Sequence, residues 1–138
     1  MSPDRVDVAY VLISDSDGEN VLLVRNEDSW SLPGGRREPG ETLAEAAERE
    51  AKEEAGVVAK AGRIVDVSER ITDDLHDVFT VFSAELLSGE PTASEHDDDV
   101  TEVAWVPVDQ ASQRMPWYPD GVEALLRAGG ASHSAARG

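Results

Sequence analysis

The stretch GGRREPGETLAEAAEREAKEEAGV (Gly34–Val57) joins a glycine turn to a glutamate-rich helix pattern. Within it, Thr42–Glu45 (TLAE) matches the capping-box pattern that begins a helix, and the residues that follow are strong helix formers. Gly56 supplies the stop, because glycine readily adopts the left-handed conformation found after helix C-termini. The sequence therefore predicts one helix between Thr42 and Gly56, preceded by a tight glycine turn.

The acidic end of this predicted helix is unusual. Glu50, Glu53 and Glu54 crowd its last turn, where the partial negative charge of a helix C-terminus disfavours carboxylates. At about 100° per residue they share one arc with small apolar residues that mark an inward face, whereas Glu45 and Glu48 fall on the opposite side. Because inward carboxylates are costly unless neutralised, the pattern predicts a bound divalent cation, and Mg²⁺ prefers such oxygen ligands.

The same residues resemble the Nudix box. That pattern runs glycine, five residues, glutamate, seven residues, Arg-Glu, a bulky aliphatic residue, any residue, Glu-Glu, any residue, glycine and an aliphatic residue. Gly35 and Glu41 fill the first two fixed positions, and REAKEEAGV (Arg49–Val57) fills the rest. The one departure is Ala51, which is small where the family prefers bulk.

The resemblance implies an α/β fold, an α/β/α sandwich around a mixed β-sheet, with the box as loop–helix–loop. It implies a Nudix pyrophosphohydrolase in which metal-activated water attacks a nucleoside diphosphate-linked compound, with Mg²⁺ as cofactor and Mn²⁺ as the alternative. Carried over by position, the catalytic and metal-binding residues are Glu50, Glu53 and Glu54, with Arg49 and the carbonyl of Gly34 beside them. The structural residues of the box are Gly35, Glu41 and Gly56.

Two apolar runs, Val6–Ile13 and Val21–Arg25, precede the box and are predicted strands because they are rich in β-branched and aliphatic residues. Between them, SDSDGEN (14–20) has the Asp-Gly chemistry of a turn. The pattern predicts a hairpin, and strands this apolar predict a sheet covered on both faces.

Downstream, the predicted strands are Ile64–Val67, Leu75–Leu87 and Glu102–Val108, and the predicted helices cover 109–114 and 121–127. From Gly129 the residues are small and polar, which is typical of a disordered tail. We therefore expect a single domain over residues 1–128 and a disordered tail over residues 129–138.

Four residues are candidates for substrate binding, each with a structural alternative. Arg25 ends a strand and either faces solvent or contacts a phosphate. Trp30 and Trp117 either stack on a base or cover the core. Arg36 follows the paired glycines and completes the candidate set.

The polar loop SGEPTASEHDDDVT (88–101) occupies the place from which many Nudix enzymes supply a further metal ligand or general base. Glu95 is the candidate ligand, and the other acids that could take either role are Asp97, Asp98, Asp99 and Glu102. The alternative is a solvated charge run with no role in the site.

Composition excludes several classes of protein. The chain has 138 residues, 40% of them hydrophobic, and no cysteine, which excludes disulfides and thiolate metal sites. No apolar run approaches the roughly 20 residues that span a membrane, and the N-terminus lacks a secretory signal pattern. We therefore expect a cytoplasmic enzyme that does not associate with membranes.

The net charge of -17 disfavours binding to nucleic-acid polymers, which normally requires a basic patch. Either the acidity solubilises the protein of a salt-adapted host or it attracts divalent cations, and both can hold. The sequence leaves the oligomeric state open, a homodimer included.

The resemblance implies a small-molecule nucleotide as substrate, and the absence of two subfamily features favours a (deoxy)nucleoside triphosphate or its oxidised form. Nudix subfamilies acting on ADP-ribose or dinucleoside polyphosphates tend to carry a proline or tyrosine downstream of the box. Here no proline lies between Pro39 and Pro91, and no tyrosine lies between Tyr10 and Tyr118. The alternatives are an ADP-ribose or nucleotide-sugar pyrophosphatase and a non-catalytic nucleotide-sensing domain.

Overall fold

The computed structural model describes residues 3–93 and 100–137, with the backbone alone described from residue 130 onward. The strands are β1 (Asp4–Leu12), β2 (Asn20–Arg25), β3 (Trp30–Ser31), β4 (Gly34–Arg36), β5 (Val58–Ile71), β6 (Leu75–Ser88) and β7 (Glu102–Pro107). The helices are α1 (Leu43–Ala55), α2 (Val108–Arg114) and α3 (Gly121–Arg137).

The strands form two sheets. The larger has the order β4-β1-β6-β5, in which β1 and β6 run parallel and the other neighbours run antiparallel. The smaller has the order β3-β2-β7 and is antiparallel throughout. This combination of helices with a mixed sheet confirms the predicted α/β fold class.

The predicted hairpin between the first two strands is wrong. β1 pairs with β4 and β6, whereas β2 pairs with β3 and β7, so the two strands lie in different sheets. The turn between them retains an isolated bridge from Ser14 to Val21 and is closed by hydrogen bonds to Asp15. Residues 14–20 therefore form the predicted turn. The hairpin prediction failed because two nearly wholly apolar strands can each pair with strands elsewhere in the chain.

Side chains of β1 alternate between two hydrophobic cores. Ala9 and Val11 belong to the core beneath α1, whereas Tyr10 and Leu12 pack in the core that includes residues of α3. α1 contributes only alanines to its fully buried face, namely Ala46, Ala47, Ala51 and Ala55. The small residue in the box, Ala51, therefore lies where the helix packs on the sheet, and its size lets the backbones approach closely.

The C-terminal helix α3 runs through residues 129–137, for which the sequence predicts a disordered tail. Their order in solution, and the domain limit at residue 128, stay predictions. Within the described part of the chain, no helix has both the length and the apolar character required to cross a membrane.

Candidate active site

The helix of the box begins and ends where its sequence predicts. Thr42 Oγ1 accepts a 3.0 Å hydrogen bond from the N–H of Glu45, and Glu45 Oε1 accepts one of 2.8 Å from the N–H of Thr42. This reciprocal pair satisfies two of the N–H groups that a helix N-terminus leaves without partners. At the other end, Gly56 has φ of 70°, and its N–H donates to the carbonyl of Lys52.

Arg49 joins the helix to the loop and strand that precede it. Its Nε and Nη2 donate to the two carboxylate oxygens of Glu41 at 2.7 and 3.1 Å. Its Nη1 donates to Glu50 at 2.8 Å and to Glu53 at 3.1 Å, while Nη2 also reaches the carbonyl of Arg36 at 3.0 Å. One guanidinium therefore fixes β4 and the box carboxylates relative to one another.

The paired glycines allow two carboxylates to lie directly against β4. The N–H of Gly34 donates a 2.7 Å hydrogen bond to Oε1 of Glu54. A Cβ atom on Gly35 would collide with the carboxylate of Glu50, and one on Gly34 would collide with the backbone of Ala9 and Tyr10. Gly34 therefore has no room for a side chain beside the backbone of β1, and a side chain at Gly35 would have to displace the carboxylate of Glu50.

These carboxylates face a cavity of about 560 Å³, which we call the carboxylate cavity. Its lining residues are Asn26, Glu27, Asp28, Gly34, Gly35, Glu50 and Glu54. The backbone of the glycine turn and at least two acids of the box therefore share one recess, which is open to solvent.

The predicted inward arc of three carboxylates is only partly correct. The side chain of Glu50 is 17% exposed, but that of Glu53 is 53% exposed and does not line the carboxylate cavity. The four buried alanines of α1 define its inward face, and Glu53 lies at the edge of that face. The prediction that Glu48 faces solvent is wrong, because its Oε2 accepts a 2.8 Å hydrogen bond from the N–H of Ala61 in β5.

The carboxylates differ in how their surroundings affect ionisation. Burial, followed by the hydrogen bond with Glu53, raises the pKa of Glu50, and Arg49 opposes that rise. The hydrogen bond from Arg49 lowers the pKa of Glu41, and the same bond raises the pKa of the guanidinium. Glu41 is therefore held as the ionised partner of Arg49, whereas Glu50 is an acid whose charged form is disfavoured without a further cation.

The donor set suits a hard divalent cation. Carboxylate and carbonyl oxygens are the ligands that Mg²⁺ prefers, and Glu50 and Glu54 line the carboxylate cavity beside Gly34. In the structure these carboxylates engage protein donors, and no three His, Asp or Glu side chains among the described residues converge in a metal-binding arrangement. A cation would therefore compete with Gly34 N–H and Arg49 for the oxygens.

A second cavity of about 510 Å³, which we call the aromatic cavity, is lined by the ring of Tyr10 from β1. Its lining residues are Tyr10, Ser31, Leu32, Ser68, Glu69, Arg70, Phe79, Trp117 and Tyr118. The ring of Tyr10 stacks on that of Phe79, with centroids 6.3 Å apart and planes inclined by 23°. Such a recess suits a flat ring system.

The backbone and the ring of Tyr10 lie near different cavities. Its backbone lies opposite Gly34 in the register of β1 with β4, while its ring lines the aromatic cavity. Burial raises the pKa of Tyr10, the charge of Glu54 adds to the rise, and Arg70 opposes it. The phenol is therefore within electrostatic range of both a box carboxylate and an arginine of the aromatic cavity.

Of the four candidates for substrate binding, one lines a cavity and three do not. Trp117 lines the aromatic cavity, but the other three line neither of the two cavities. The guanidinium of Arg114 lies 4.8 Å from the ring centroid of Trp30, and Arg25 forms an ion pair of 3.7 Å with Glu102. Arg36 is exposed and contributes its carbonyl to Arg49.

Most of the candidate acids of the polar loop have no described position. Glu95 and the three aspartates, Asp97, Asp98 and Asp99, lie outside the described residues. Glu102 begins β7 opposite Arg25 and does not line the carboxylate cavity.

Sequence reasoning missed several cavity residues. Tyr10, Arg70 and Phe79 come from three strands whose adjacency depends on long-range pairing, so no local pattern unites them. Glu27 and Asp28 could have been noticed, because they lie in the short connection between the predicted strand Val21–Arg25 and the paired glycines at 34 and 35.

Comparison with known proteins relates this chain to a family and to several named members. A family model described as the NUDIX domain matches residues 4–127. The Homo sapiens protein named 8-oxo-dGDP phosphatase NUDT18 is 36% identical over 111 residues, which cover 75% of this chain and 33% of that protein. Diphosphoinositol polyphosphate phosphohydrolase 3-alpha of Mus musculus is 46% identical over 74 residues, covering 50% of this chain and 45% of that protein. The chain thus spans a third to a half of the length of these relatives.

Solved structures show the same fold at lower identity. The MutT protein from Methanosarcina mazei Go1 matches with a TM-score of 0.74 and 23% identity, covering 96% of this chain and 98% of that one. A UDP-X diphosphatase matches with a TM-score of 0.74 and 24% identity, covering 96% of this chain and 66% of that one. The match of the family model over residues 4–127 confirms the family predicted from the box, and this chain is a member of the Nudix family.

Proposed function

We propose that this chain hydrolyses the pyrophosphate linkage of a nucleoside diphosphate derivative, with a (deoxy)nucleoside triphosphate or its oxidised form as substrate. The observation that carries the proposal is the placement of Glu50 and Glu54 against the glycine turn, at one cavity, with Arg49 orienting Glu50. The activities by which the relatives are named, on a nucleotide and on a diphosphoinositol polyphosphate, support hydrolysis at a phosphoric anhydride.

The residues that would hold Mg²⁺ or Mn²⁺ are Glu50, Glu53 and Glu54, with the carbonyl of Gly34. When bound, the cation would shield the polyanionic pyrophosphate and lower the pKa of a coordinated water. The chain itself supplies positioning: the N–H of Gly34 holds one carboxylate, and Arg49 holds two more. The raised pKa of Glu50 supports the proposal, because an anion disfavoured by burial gains most from a nearby cation.

The two cavities suit the two parts of such a substrate. The carboxylate cavity would take the pyrophosphate with its metal, and the aromatic cavity would take the nucleoside. The backbone of Tyr10 pairs with Gly34 of the carboxylate cavity while its ring lines the aromatic cavity, and this proximity supports a substrate that joins a flat ring to a pyrophosphate. This arrangement supports a nucleotide over a purely inorganic substrate.

A nucleotide-sensing domain that does not hydrolyse its ligand is the alternative from another functional class. Such domains often carry degraded boxes. Here every fixed position of the box is filled, and its arginine and glutamates make the contacts described above. These contacts favour hydrolysis.

The test is Mg²⁺-dependent hydrolysis over a panel of nucleoside diphosphates and triphosphates, their 8-oxo forms and ADP-ribose. Release of phosphate or pyrophosphate reports on the di- and triphosphates, and release of AMP reports on ADP-ribose. Glu54→Gln should lower kcat by about 100-fold or more, because an amide is a poor substitute for a charged metal ligand. The matched control is Glu48→Gln, which removes the same charge from the other flank of α1 and should retain activity within about twofold.

Two outcomes would overturn parts of the proposal separately. Tight binding of one nucleotide with no turnover of any would favour the sensing domain. Equal activity of Glu54→Gln and the parent would reject the assignment of Glu54 as a ligand, even with hydrolysis established.

A further inference from the structure

The aromatic cavity contains an arginine that a buried acid holds in place. Asp77 in β6 lies opposite Arg70 in β5, and Nη2 of Arg70 donates a 3.0 Å hydrogen bond to Oδ2 of Asp77. The side chain of Asp77 is only 9% exposed, whereas that of Arg70 is 68% exposed. A buried carboxylate thus anchors one edge of an otherwise accessible guanidinium.

This anchoring reduces the freedom of Arg70 before any ligand binds. A planar guanidinium carries five N–H donors and no acceptor, and fixing one edge predetermines where its remaining donors lie. The other charged lining residue, Glu69, has its carboxylate in contact with the imidazole of His76. Arg70 is therefore the lining residue best placed to offer charged donors within the aromatic cavity.

The other residues that line the aromatic cavity indicate what kind of ligand group would accept hydrogen bonds from Arg70. Tyr10 and Phe79 form a stacked pair, and Trp117 and Tyr118 contribute two more rings at a centroid distance of 6.1 Å. Aromatic walls favour a flat base over an isolated phosphate, whose three charged oxygens would lose hydration against apolar surface. The group beside Arg70 should then be a ring whose edge carries acceptors.

We propose that Arg70, positioned by Asp77, is a specificity-determining residue that recognises the acceptor edge of a 6-oxopurine in the aromatic cavity. Guanine and hypoxanthine present O6 and N7 acceptors side by side, a pattern that arginine can bind with two hydrogen bonds. Adenine replaces O6 with an amino group, which is a donor and opposes the guanidinium. The inference rests on the proposed function and selects its unoxidised form, because an 8-oxopurine carries a hydrogen on N7 and presents a donor where guanine presents an acceptor.

Binding of nucleoside monophosphates tests the inference without requiring hydrolysis. In calorimetry without metal, GMP and IMP should bind about 10-fold more tightly than AMP, because one bidentate arginine contact discriminates by about that factor. IMP lacks the 2-amino group of guanine, so equal binding of IMP and GMP would assign the preference to O6 and N7. A preference for AMP, or no binding of any monophosphate, would overturn the inference.

Variants of Arg70 test whether this residue causes the preference for GMP over AMP. Arg70→Ala should bring the GMP to AMP affinity ratio close to one while changing AMP affinity by no more than about twofold, and Arg70→Lys should lose most of the ratio because it lacks the planar fork. Arg63→Ala, at another exposed arginine of β5, is the matched control and should keep the ratio. An unchanged ratio in Arg70→Ala would overturn the inference.

Asp77→Asn tests the positioning role. It should reduce the ratio by a smaller factor than Arg70→Ala and leave the affinity for AMP unchanged. If that variant does not fold, Asp77→Glu, which keeps the charge and displaces it by one methylene group, should lower the ratio instead. An unchanged ratio would reject the positioning role. With Mg²⁺, the ratio of kcat/KM for GTP and ATP should follow the binding ratio. Absence of turnover with the binding preference intact would reject the proposed hydrolysis and leave the assignment of Arg70 standing.

Discussion

The backbone N–H of Gly34 donates a 2.7 Å hydrogen bond to Oε1 of Glu54, which lies 20 residues further along the chain. This bond joins the glycine turn to the last turn of α1, where the helix end disfavours negative charge. It gives one of the crowded carboxylates a partner in the folded protein, before any cation binds. Glu54 should therefore contribute to stability as well as to the proposed metal site.

Glu54→Ala and Glu54→Gln should separate these two roles. Glutamine retains a carbonyl oxygen that can accept from Gly34, whereas alanine leaves that N–H without its partner, a loss of roughly 1–3 kcal/mol. We expect the free energy of unfolding, measured in urea, to fall by about 1 kcal/mol or more further for alanine than for glutamine. Equal losses for both variants would show that the bond adds nothing to stability.

Gly35→Ala should displace the carboxylate of Glu50, because the new methyl group would occupy its position. Displacement of that carboxylate would break its hydrogen bond with Arg49, at a cost of about 1.5–3 kcal/mol. In a Glu50→Ala background the same substitution should cost less by at least about 1 kcal/mol, since the colliding carboxylate is gone. The measurement is a double-mutant cycle of unfolding free energies, and additivity of the two substitutions would contradict the close approach of Glu50 to Gly35.

The contrast between α1 and the sheets shows what the sequence could predict. The limits of α1 depend on neighbours within three or four residues, so the capping box at Thr42 and the glycine at 56 were sufficient to find them. The partners of β1 depend on strands tens of residues away, and the local turn at residues 14–20 misassigned them. The helical periodicity likewise placed Glu50 on the inward face, but it also placed the exposed Glu53 there and could not show that Glu48 would accept from the N–H of Ala61.

The residues of the candidate site also fall into those that a local motif predicts and those that depend on strand pairing. The box motif brought Arg49, Glu50 and Glu54 together on one short segment, where spacing alone limits their separation. Arg70 and Asp77 become neighbours only because β5 and β6 pair in one particular register. No pattern within either strand encodes that register, so the aromatic cavity became visible only in the folded chain.

Arg49→Lys should destabilise the box even though it preserves the charge. Lysine cannot reproduce the two parallel hydrogen bonds to Glu41 and also reach Glu50, so we expect a loss of about 2 kcal/mol in unfolding free energy. Hydrolysis should fall as well, because Glu50 would lose its orienting partner. Arg63→Lys, at an exposed arginine outside the box, controls for the exchange itself.

The partner substitution Glu41→Gln checks that assignment. If Arg49 and Glu41 act as one unit, the double variant should lose less stability than the sum of the two single losses, with a coupling of about 1 kcal/mol or more. Independent losses would show that the bidentate pair is not the interaction that Arg49→Lys disrupts.

The carboxylate of Asp15, in the turn before β2, should make the free energy of unfolding fall at acidic pH. Its carboxylate accepts from the side chain of Asn20 at 2.6 Å and from the N–H groups of Glu19 and Asn20, and the side-chain bond is the main cause of its lowered pKa. A folded-state pKa below the unfolded value means that the unfolded chain binds the proton more readily. The stabilisation is therefore complete above the unfolded pKa of about 4 and is lost as the pH falls through the folded value.

Asp15→Asn removes that titration and sets one amide NH₂ group against that of Asn20. Urea unfolding of parent and variant at pH 7, 4 and 3 should show a stability difference that is largest at neutral pH and shrinks as the pH falls. Asp17→Asn, at an exposed aspartate of the same turn, is the matched control and should show a smaller difference at pH 7. A difference between Asp15→Asn and the parent that stays constant from pH 7 to 3 would mean that the hydrogen bonds of this turn do not favour the ionised carboxylate.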